Sequence, residues 1–312
     1  MDDRRARHLA EMLVSSTPPT FVDALGYPEL TDMLVGSALV AKAASAEMTS
    51  RLRAVLGHDA AVRVLLIEKS ASVGPEFGPH ARSIIASALD ALGVEIRTST
   101  GVANVSSDSL TTNTGEVIRT HTVVWAAGVR ANEAARLVGP AADAHGRLLV
   151  DNELRVMGTN GIWAAGDVAH ALVDGKRVTM MSCQHAIPLG KHAGHNAMSA
   201  LAGARSKPYA QHRYITCLDL GAWGALITDG FDRDNVICSG ADGKEFKRFI
   251  NTSVIYPPLD RNAGSILRAA KPPGGGRLAA ALTSLLLRSR LTGLGRWSVQ
   301  RRSALTCSNA RV

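Results

Sequence analysis

Short apolar runs alternate with amphipathic segments in the first half of the chain, as in parallel strands joined by helices. Largely apolar runs at Val62–Ile67, Val94–Arg97 and Thr122–Trp125 predict three strands. Between the first two, apolar residues at helical spacing predict a helix over Pro79–Leu92, which Gly93 is suited to end. The apolar stripe of that helix consists of Ile84, Ile85, Ala88, Leu89 and Leu92. This alternation favours an α/β fold with a parallel sheet.

The stretch from Met33 to Leu56 supplies a further strand, a turn and a helix. These are the parts of a βαβ unit that binds a dinucleotide, whose fingerprint is Gly-x-Gly-x-x-Gly/Ala. The chain offers Gly36, Ala38 and Ala41 at the three positions. Because Ala38 puts a methyl group where the backbone should reach a pyrophosphate, this match alone fits an ordinary strand-to-helix junction better.

Glu68 stands directly after the run Val62–Ile67, at the predicted carboxyl end of the second strand. An acid at this position accepts hydrogen bonds from the adenosine ribose and disfavours a 2′-phosphate, so Glu68 favours NADH over NADPH. It follows Gly36 by 32 residues (68 − 36), whereas about 20 is usual. A long first helix explains the difference, and a surface glutamate at a strand end is the alternative.

Residues 102–119 predict a small antiparallel excursion with a turn at Asn113–Gly115. The chain then returns as the strand Thr122–Trp125, which ends in the sequence AAG at 126–128. The order strand, helix, strand, helix, strand, excursion and strand predicts a nucleotide-binding half-domain.

A second candidate site lies near the middle of the chain. The run Ile162–Ala165 ends in Gly166 and Asp167, which predicts a buried strand with one carboxylate at the carboxyl edge of a sheet. Open α/β sheets bind their ligands at that edge. Gln184 and His185 open a helical segment soon afterwards. For a Gly-Asp pair alone, an ordinary turn after a strand is the alternative.

Composition and charge exclude several classes of function. Apolar residues make up 46% and charged residues 20% of the 312 residues, a soluble globular balance. The net charge is +8, but much of the arginine excess lies near the two ends. The sequence has no basic face with interleaved aromatic residues, so it does not predict nucleic-acid binding. The four cysteines form no Cys-x-x-Cys pair, which argues against a redox dithiol or a zinc site and fits a reducing cytosol.

Residues 277–297 predict an amphipathic helix with a basic flank. Its leucines share one helical face and its arginines lie beside them, which fits a helix that lies in a membrane interface. A packing helix or a basic tail is the alternative. The residues concerned are Leu278, Leu282, Leu285, Leu286, Arg288, Arg290 and Arg296. The sequence contains no run of 18 apolar residues, so it does not predict a membrane-spanning helix.

Several of these stretches, in this order, resemble the pyridine-nucleotide flavoprotein oxidoreductases, and most closely the type II NADH dehydrogenases. The resemblance covers roughly residues 31–258. It is carried by GPEFGPHARSIIASALDALGVEI (74–96), TVVWAAGV (122–129), LRVMGTNGIWAAGDVA (154–169) and SCQHAIPLGKHAGHN (182–196), with further support from 47–52, 214–233 and 247–258. It implies an α/β fold with two dinucleotide-binding domains of the Rossmann-like, three-layer ββα type.

The resemblance also implies a reaction and a set of contacts. The reaction is hydride transfer from NADH to N5 of FAD and electron transfer to a quinone, without a metal or a protein acid–base pair. Lys42 stands where the family often has a carboxylate that faces the nicotinamide. The implied contacts are Gly36, Ala38 and Ala41 with the NAD(P)H pyrophosphate, Glu68 with its ribose, Ala127 and Gly128 with the nicotinamide nucleotide, Gly166 and Asp167 with the ribityl and phosphate region of FAD, and Gln184 and His185 with the isoalloxazine ring and the quinone.

One family feature is not found in this sequence. The Gly-x-Gly-x-x-Gly unit that cradles the FAD pyrophosphate has no counterpart before Met33, so the FAD domain is predicted to be incomplete. We expect a helix and linker (1–30), an NAD(P)-binding domain (31–145), the carboxyl-terminal part of the FAD domain with a β-rich region (146–258), and a basic amphipathic tail (259–312).

The competence of the chain on its own stays open at this point. A cytoplasmic NADH dehydrogenase-like enzyme, peripheral on the inner face of the cell membrane and compatible with a homodimer, is one hypothesis. A non-catalytic nucleotide-binding remnant, or one subunit of a split flavoprotein, is the other. A flavoprotein disulfide reductase is disfavoured because the dithiol is missing.

Overall fold

The computed structural model describes residues 31–35, 39–120, 122–126, 128–140 and 142–272. These residues divide into two compact units. The first unit extends to Gly128 and includes 218–226 and 239–244, and the second comprises 129–217, 227–238 and the residues from Glu245 onward. Gly36, Ala38, Ala127 and the predicted tail helix 277–297 lie outside the described residues.

A four-stranded parallel sheet forms the centre of the first unit. Its strands are β1 (Thr31–Val35), β2 (Arg63–Ile67), β3 (Val94–Arg97) and β7 (Thr122–Trp125), in the order β3-β2-β1-β7. Helix α1 (Leu39–Leu56) joins β1 to β2, and α2 (Pro79–Ala91) joins β2 to β3. This is the strand order of half a doubly wound nucleotide-binding fold, so the predicted α/β class is confirmed.

The predicted excursion is a separate antiparallel sheet of β4 (Val102–Val105), β5 (Ser109–Thr112) and β6 (Val117–Arg119). Leu110 and Ile118 of this sheet pack against Leu65 and Ile67 of β2. All four side chains are at least 95% buried, so the excursion covers one face of the parallel sheet.

A second segment packs on α1. The 3₁₀ turn Gly221–Trp223 lies against this helix in the first unit. A side chain at Gly221 would meet the backbone of Ala46 and Glu47 in α1. The carboxyl-terminal part of the chain therefore contributes directly to the unit that contains the predicted NAD(P)H residues.

The second unit is organised around α3 (Cys183–Leu201). Strands β8 (Leu148–Leu149) and β9 (Ala169–His170) form a short parallel pair, and the chain from β9 continues beneath α3. The core between them comprises Leu154, Ala171, Val173, Leu189, Ala193 and Tyr209. The helix therefore rests on the segment that directly follows Gly166 and Asp167.

The predicted β-rich region continues only to Ser239. A three-stranded sheet of β10 (Ile215–Asp219), β11 (Ala225–Asp229) and β12 (Asn235–Ser239) is followed by helix α4 (Gly240–Phe249) and a π-helical turn (Ile250–Val254). Lys244, Glu245, Lys247 and Arg248 are good helix formers, which explains why the prediction of β structure is wrong there. Helix α5 (Ala263–Ala270) ends the described chain. Among the residues described, no helix is long and apolar enough to cross a membrane.

The run Ile162–Ala165 is not the buried strand that its composition predicts. It forms a tight hairpin with 154–156 in which Arg155 and Trp163 make an isolated bridge. The chain then turns into the 3₁₀ segment Gly166–Val168. Because the hairpin is so short, no regular ladder forms, and Ile162 is 37% exposed.

Asn196 of α3 connects three separate backbone groups in the second unit. Its Nδ2 donates to the carbonyl oxygens of Glu153 and Lys207 at 2.8 Å each, and its Oδ1 accepts from the Lys207 N–H at 2.8 Å. The residue is fully buried. Asn196→Asp keeps the shape but removes both donors, so we expect the free energy of unfolding to fall by about 2 kcal/mol, measured by urea denaturation. The exposed Asn235→Asp in β12 is the control, and an equal loss in both variants would contradict the role of this contact.

Candidate functional site

The first group of predicted residues lies at the carboxyl edge of the parallel sheet. Val35, Ile67 and Trp125 are in register at that edge, so the chain that follows each strand emerges on the same side of the unit. Glu68 directly follows Ile67, and Ala41 is fully buried in the first turn of α1. The topology therefore brings these predicted positions to the sheet edge where α/β folds bind nucleotides.

The Glu68 carboxylate is covered by protein. Its Oε1 accepts a hydrogen bond from the Ser70 N–H at 2.8 Å, and the residue is 1% exposed. The Glu68 N–H donates to the Arg97 carbonyl oxygen, and the Thr100 N–H donates to that of Glu68. Glu68 is thus a fixed part of the turn after β2 and not a surface side chain at a strand end.

Lys42 pairs with an acid of the loop that follows Glu68. Its ammonium group pairs with Glu76 at 2.9 Å, and its side chain is fully buried. Glu76 belongs to the loop that follows Glu68, and the stem of Lys42 lies beside Gly74 of the same loop. The side chain points from α1 towards this loop because burial of the charge requires a partner.

The second group of predicted residues meets at the start of α3. Gly166 has φ +74, and a Cβ there would lie 3.6 Å from that of Ala186 in the first turn of α3. The turn therefore lies directly against the helix start, and the adjacent Asp167 side chain is exposed. The structure brings Gly166, Asp167, Gln184 and His185 into one region of the second unit.

The start of α3 offers two backbone donors. Ser182 is the N-cap residue, and its carbonyl oxygen accepts from the N–H groups of His185 and Ala186. Within the part of the chain that the structure describes, no acceptor contacts the N–H groups of Cys183 and Gln184. Such free donors, with the positive end of the helix dipole, attract negative charge or electron-rich oxygen atoms.

The Gln184 side chain is used by the protein itself. Its Oε1 accepts from the Ile215 N–H at 3.0 Å, and its Nε2 donates to the Ile215 carbonyl oxygen. The amide therefore pairs with both backbone groups of the first residue of β10, as a neighbouring strand would. This contact attaches β10 to the start of α3 and orients the Gln184 side chain towards the sheet.

His185 lies inside a cluster of aromatic rings. Its ring stacks on Tyr214 with centroids 4.9 Å apart and lies 6.4 Å from Phe231. Arg233 lies over the Tyr214 ring, and Arg177 lies over the Phe231 ring at 4.1 Å. The sequence shows these residues only as scattered positions, although the chain has few aromatic residues that could fill such a cluster.

The hydrogen bonds of Gln211 determine the tautomer of His185. The Gln211 Nε2 donates to the Arg213 carbonyl oxygen, so its Oε1 accepts from both the Tyr209 hydroxyl and the His185 Nδ1–H, the latter at 3.0 Å. The His185 Nε2 is then an unprotonated acceptor. Burial is the main reason that the pKa of His185 falls from 6.5 to about 4, and Arg233 adds to it, so the imidazole is neutral.

The side chains of Cys217 and His192 do not extend this site. Cys183 is exposed, whereas burial raises the pKa of the Cys217 thiol to about 12 and makes it unreactive. The Nδ1 of buried His192 bonds to the Pro188 carbonyl oxygen. Over the described ranges, no group of three or more His, Cys, Asp or Glu residues could hold a metal ion.

The chain matches the model of the family described as pyridine nucleotide-disulphide oxidoreductase over residues 33–190, which is half of its length. The parallel half-domain and the turn at Gly166 both lie within the matched residues. The chain therefore belongs to this family of flavin-associated oxidoreductases, as the order of its motifs indicates.

Among individual relatives, an NADH dehydrogenase-like protein of Mycobacterium tuberculosis is 41% identical over 244 residues, which is 78% of this chain and 61% of the relative. A type II NADH:quinone oxidoreductase of Haemophilus influenzae is 22% identical over 182 residues, 57% of this chain and 41% of the relative. The chain therefore spans less than two thirds of the length of either protein.

Solved structures share the fold at lower identity. The NAD-dependent persulfide reductase from A. fulgidus matches with a TM-score of 0.52 and 22% identity, over 64% of this chain and 36% of that structure. Reduced Bacillus anthracis CoADR-RHD matches with a TM-score of 0.52 and 19% identity, over 67% and 36%. These matches support the two-dinucleotide-domain fold and carry no information on the substrate.

Proposed function

We propose that this chain contributes the nicotinamide-nucleotide site and the carboxyl-terminal part of the flavin site of an NADH dehydrogenase-like oxidoreductase. The parallel sheet order, with Glu68 at its carboxyl edge, supports the first of these sites. The mycobacterial relative named NADH dehydrogenase-like supports the direction of the reaction. When bound, FAD would accept hydride from NAD(P)H and pass the electrons on to a quinone-type acceptor.

The observation that carries this proposal is the contact between the Gly166 turn and the first turn of α3. The Gly166 turn lies against the first turn of α3, its neighbour Asp167 is exposed, and among the described residues no acceptor contacts the N–H groups of Cys183 and Gln184 in the same helix turn. A carboxylate that accepts from ribityl hydroxyls and backbone donors that meet an electron-rich ring edge are the groups that this cofactor needs. The residues present therefore fit FAD.

The structure refines the roles of Gln184 and His185 in this proposal. The Gln184 amide holds β10 against the helix start, and the buried, neutral His185 ring supports the first turn from below. We propose that both are positioning residues, and that the backbone of Cys183 and Gln184 makes the direct contact. A protonated His185 would add positive charge to the start of α3. The low pKa of His185 keeps its imidazole neutral near neutral pH.

A quinone acceptor, contact with a membrane and a homodimer are further parts of the proposal. The quinone rests on the named activity of the Haemophilus relative. The membrane contact and the peripheral location rest on residues 277–297, which lie outside the described residues, whereas the cytoplasmic location rests on the sparse use of cysteine. The predicted domain boundary at residue 145 and the NAD(P)H contacts of Gly36, Ala38, Ala127 and Gly128 stay predictions.

Purified protein reconstituted with FAD tests the flavin site. We expect bound FAD with an absorbance band that is bleached by NADH or NADPH, and we expect Asp167→Ala to weaken FAD binding by about tenfold because a hydrogen bond to a charged group is lost. The measurement is a fluorescence titration with FAD. The control is Asp90→Ala, which removes an exposed carboxylate from α2.

Equal FAD affinity in the two variants would remove Asp167 from the site. Protein that takes up no FAD, and whose nicotinamide nucleotide binding is intact, would instead support the nucleotide-binding remnant or the subunit of a split flavoprotein. Those two alternatives then differ in whether a separately expressed amino-terminal part of a relative restores FAD binding.

A further inference from the structure

A positive group of α2, Arg82, is hydrogen-bonded to the loop that follows β2, the segment with which nucleotide-binding folds read the adenosine ribose. Glu68, the acid expected to meet the ribose hydroxyls, is 1% exposed and accepts from the Ser70 N–H. An acid that discriminates against a 2′-phosphate needs an accessible oxygen at the ribose. In this structure the covered Glu68 carboxylate presents almost no surface to a ligand.

Arg82 lies on the other side of the same loop. Its guanidinium donates to the Ser72 hydroxyl at 3.0 Å from the first turn of α2. Four other arginines of the first unit pair with carboxylates, namely Arg51, Arg63, Arg97 and Arg119. Arg82 differs from them because no carboxylate among the described residues contacts it. Its charge is thus partly exposed, and among the described residues it is bound to a neutral hydroxyl.

The loop between Glu68 and Arg82 is held at both ends. The Ser99 N–H donates to the Ser70 carbonyl oxygen at the beginning of the loop, and the buried Lys42 pairs with Glu76 near its end. Because Lys42 neutralises Glu76, that carboxylate does not cancel the charge of Arg82. The exposed Lys69 adds a second cation next to Glu68.

We propose that Arg82 and Ser72 receive the 2′-phosphate of NADPH, so that the chain binds NADPH at least as well as NADH. This rests on the proposed nicotinamide-nucleotide site and departs from the preference for NADH that Glu68 predicts from sequence. A guanidinium and a hydroxyl that already lie together match the charge and the acceptor oxygens of a phosphate. Glu68 then acts as part of the turn and not as a barrier to the phosphate.

Calorimetric titration of the full chain with 5′-AMP and with 2′,5′-ADP tests this inference, because the two probes differ only in the 2′-phosphate. We expect 2′,5′-ADP to bind about tenfold more tightly, as one charge-assisted contact allows. Arg82→Gln should reduce that ratio to about one and leave the affinity for 5′-AMP unchanged, and Ser72→Ala should reduce it less.

Arg51→Gln, which removes an exposed arginine from α1, is the matched control and should keep the full ratio. Arg82→Lys keeps the positive charge but lacks the planar guanidinium group, so it should give an intermediate affinity ratio. This intermediate value would show that the effect of Arg82→Gln is not caused by misfolding. Tighter binding of 5′-AMP than of 2′,5′-ADP would contradict the inference, and so would an affinity ratio of the two probes that Arg82→Gln does not change. Either result would leave the proposed nicotinamide-nucleotide site intact. Binding of neither probe overturns both.

Discussion

Replacing Gly221 with alanine is expected to lower the free energy of unfolding by about 4 kcal/mol, one of the largest effects that a single methyl group could have in this chain. Two costs add up at this position. The backbone has φ +57, which disfavours any side chain, and the new Cβ would lie 2.7 Å from the carbonyl carbon of Ala46 and 3.0 Å from the backbone nitrogen of Glu47.

The clash is severe because its partner is backbone in the middle of α1. Ala46 is fully buried, so the helix cannot move away without disturbing its packing. A flexible side chain could rotate to make room, whereas a helical carbonyl group cannot do so without a loss of helix hydrogen bonds. We therefore expect the 3₁₀ turn Gly221–Trp223 to separate from α1 in this variant.

Gly115→Ala separates the two costs. Gly115 has φ +87 in the turn between β5 and β6, but a Cβ there would have nothing within 4 Å. It should lose only about 1 kcal/mol, which is the cost of the backbone conformation. Both values come from urea denaturation of the full chain. Similar losses in the two variants would show that the turn does not pack closely on α1.

The packing of Gly221 on α1 is a contact that local sequence patterns do not predict. The strands, helices and excursion of the first unit follow from hydrophobic periodicity because each is a local pattern with a clear turn at its end. The contact of 218–226 with α1 joins residues about 175 positions apart, and a glycine gives no sign of its partner. Only the assembled unit shows it.

In the candidate site, too, the sequence indicates which residues lie together but not what their side chains contact. The family resemblance implies that Gly166 and the helix start at Gln184 meet the same cofactor, and in the structure the Gly166 turn lies against that helix start. The sequence does not show that the Gln184 amide is occupied by Ile215, since that pairing depends on a strand 31 residues later (215 − 184). Likewise, Glu68 is at the predicted strand end, but its burial depends on how the following loop folds over it.

The stability of the second unit should fall as the pH drops from about 7 to 4, and His185 should account for roughly 3 kcal/mol of the loss. Burial and the nearby Arg233 lower the pKa of this histidine from 6.5 to about 4 in the folded protein. In the unfolded chain it takes up a proton near pH 6.5. Between these two values the unfolded state binds more protons, so unfolding becomes progressively easier.

His185→Gln isolates this contribution. Glutamine offers a donor for the Gln211 Oε1 but does not titrate, so we expect a flatter dependence of the unfolding free energy on pH, even though loss of the stacking on Tyr214 lowers its value at pH 7. Burial also lowers the pKa of His192, but that residue is present in both proteins and cancels in the difference.

His58→Gln is the matched control, because it makes the same replacement at an exposed side chain of the first unit. Urea denaturation at pH 7, 6, 5 and 4 is monitored through a signal of the second unit. It gives the difference in the free energy of unfolding between each variant and the original chain. A pH dependence of His185→Gln that equals that of the original chain would mean that the imidazole takes up its proton at the same pH in the folded protein as in the unfolded chain. The start of α3 would then gain a positive charge below about pH 6.5, and the neutral support that we propose for the flavin site would have to be abandoned in that range.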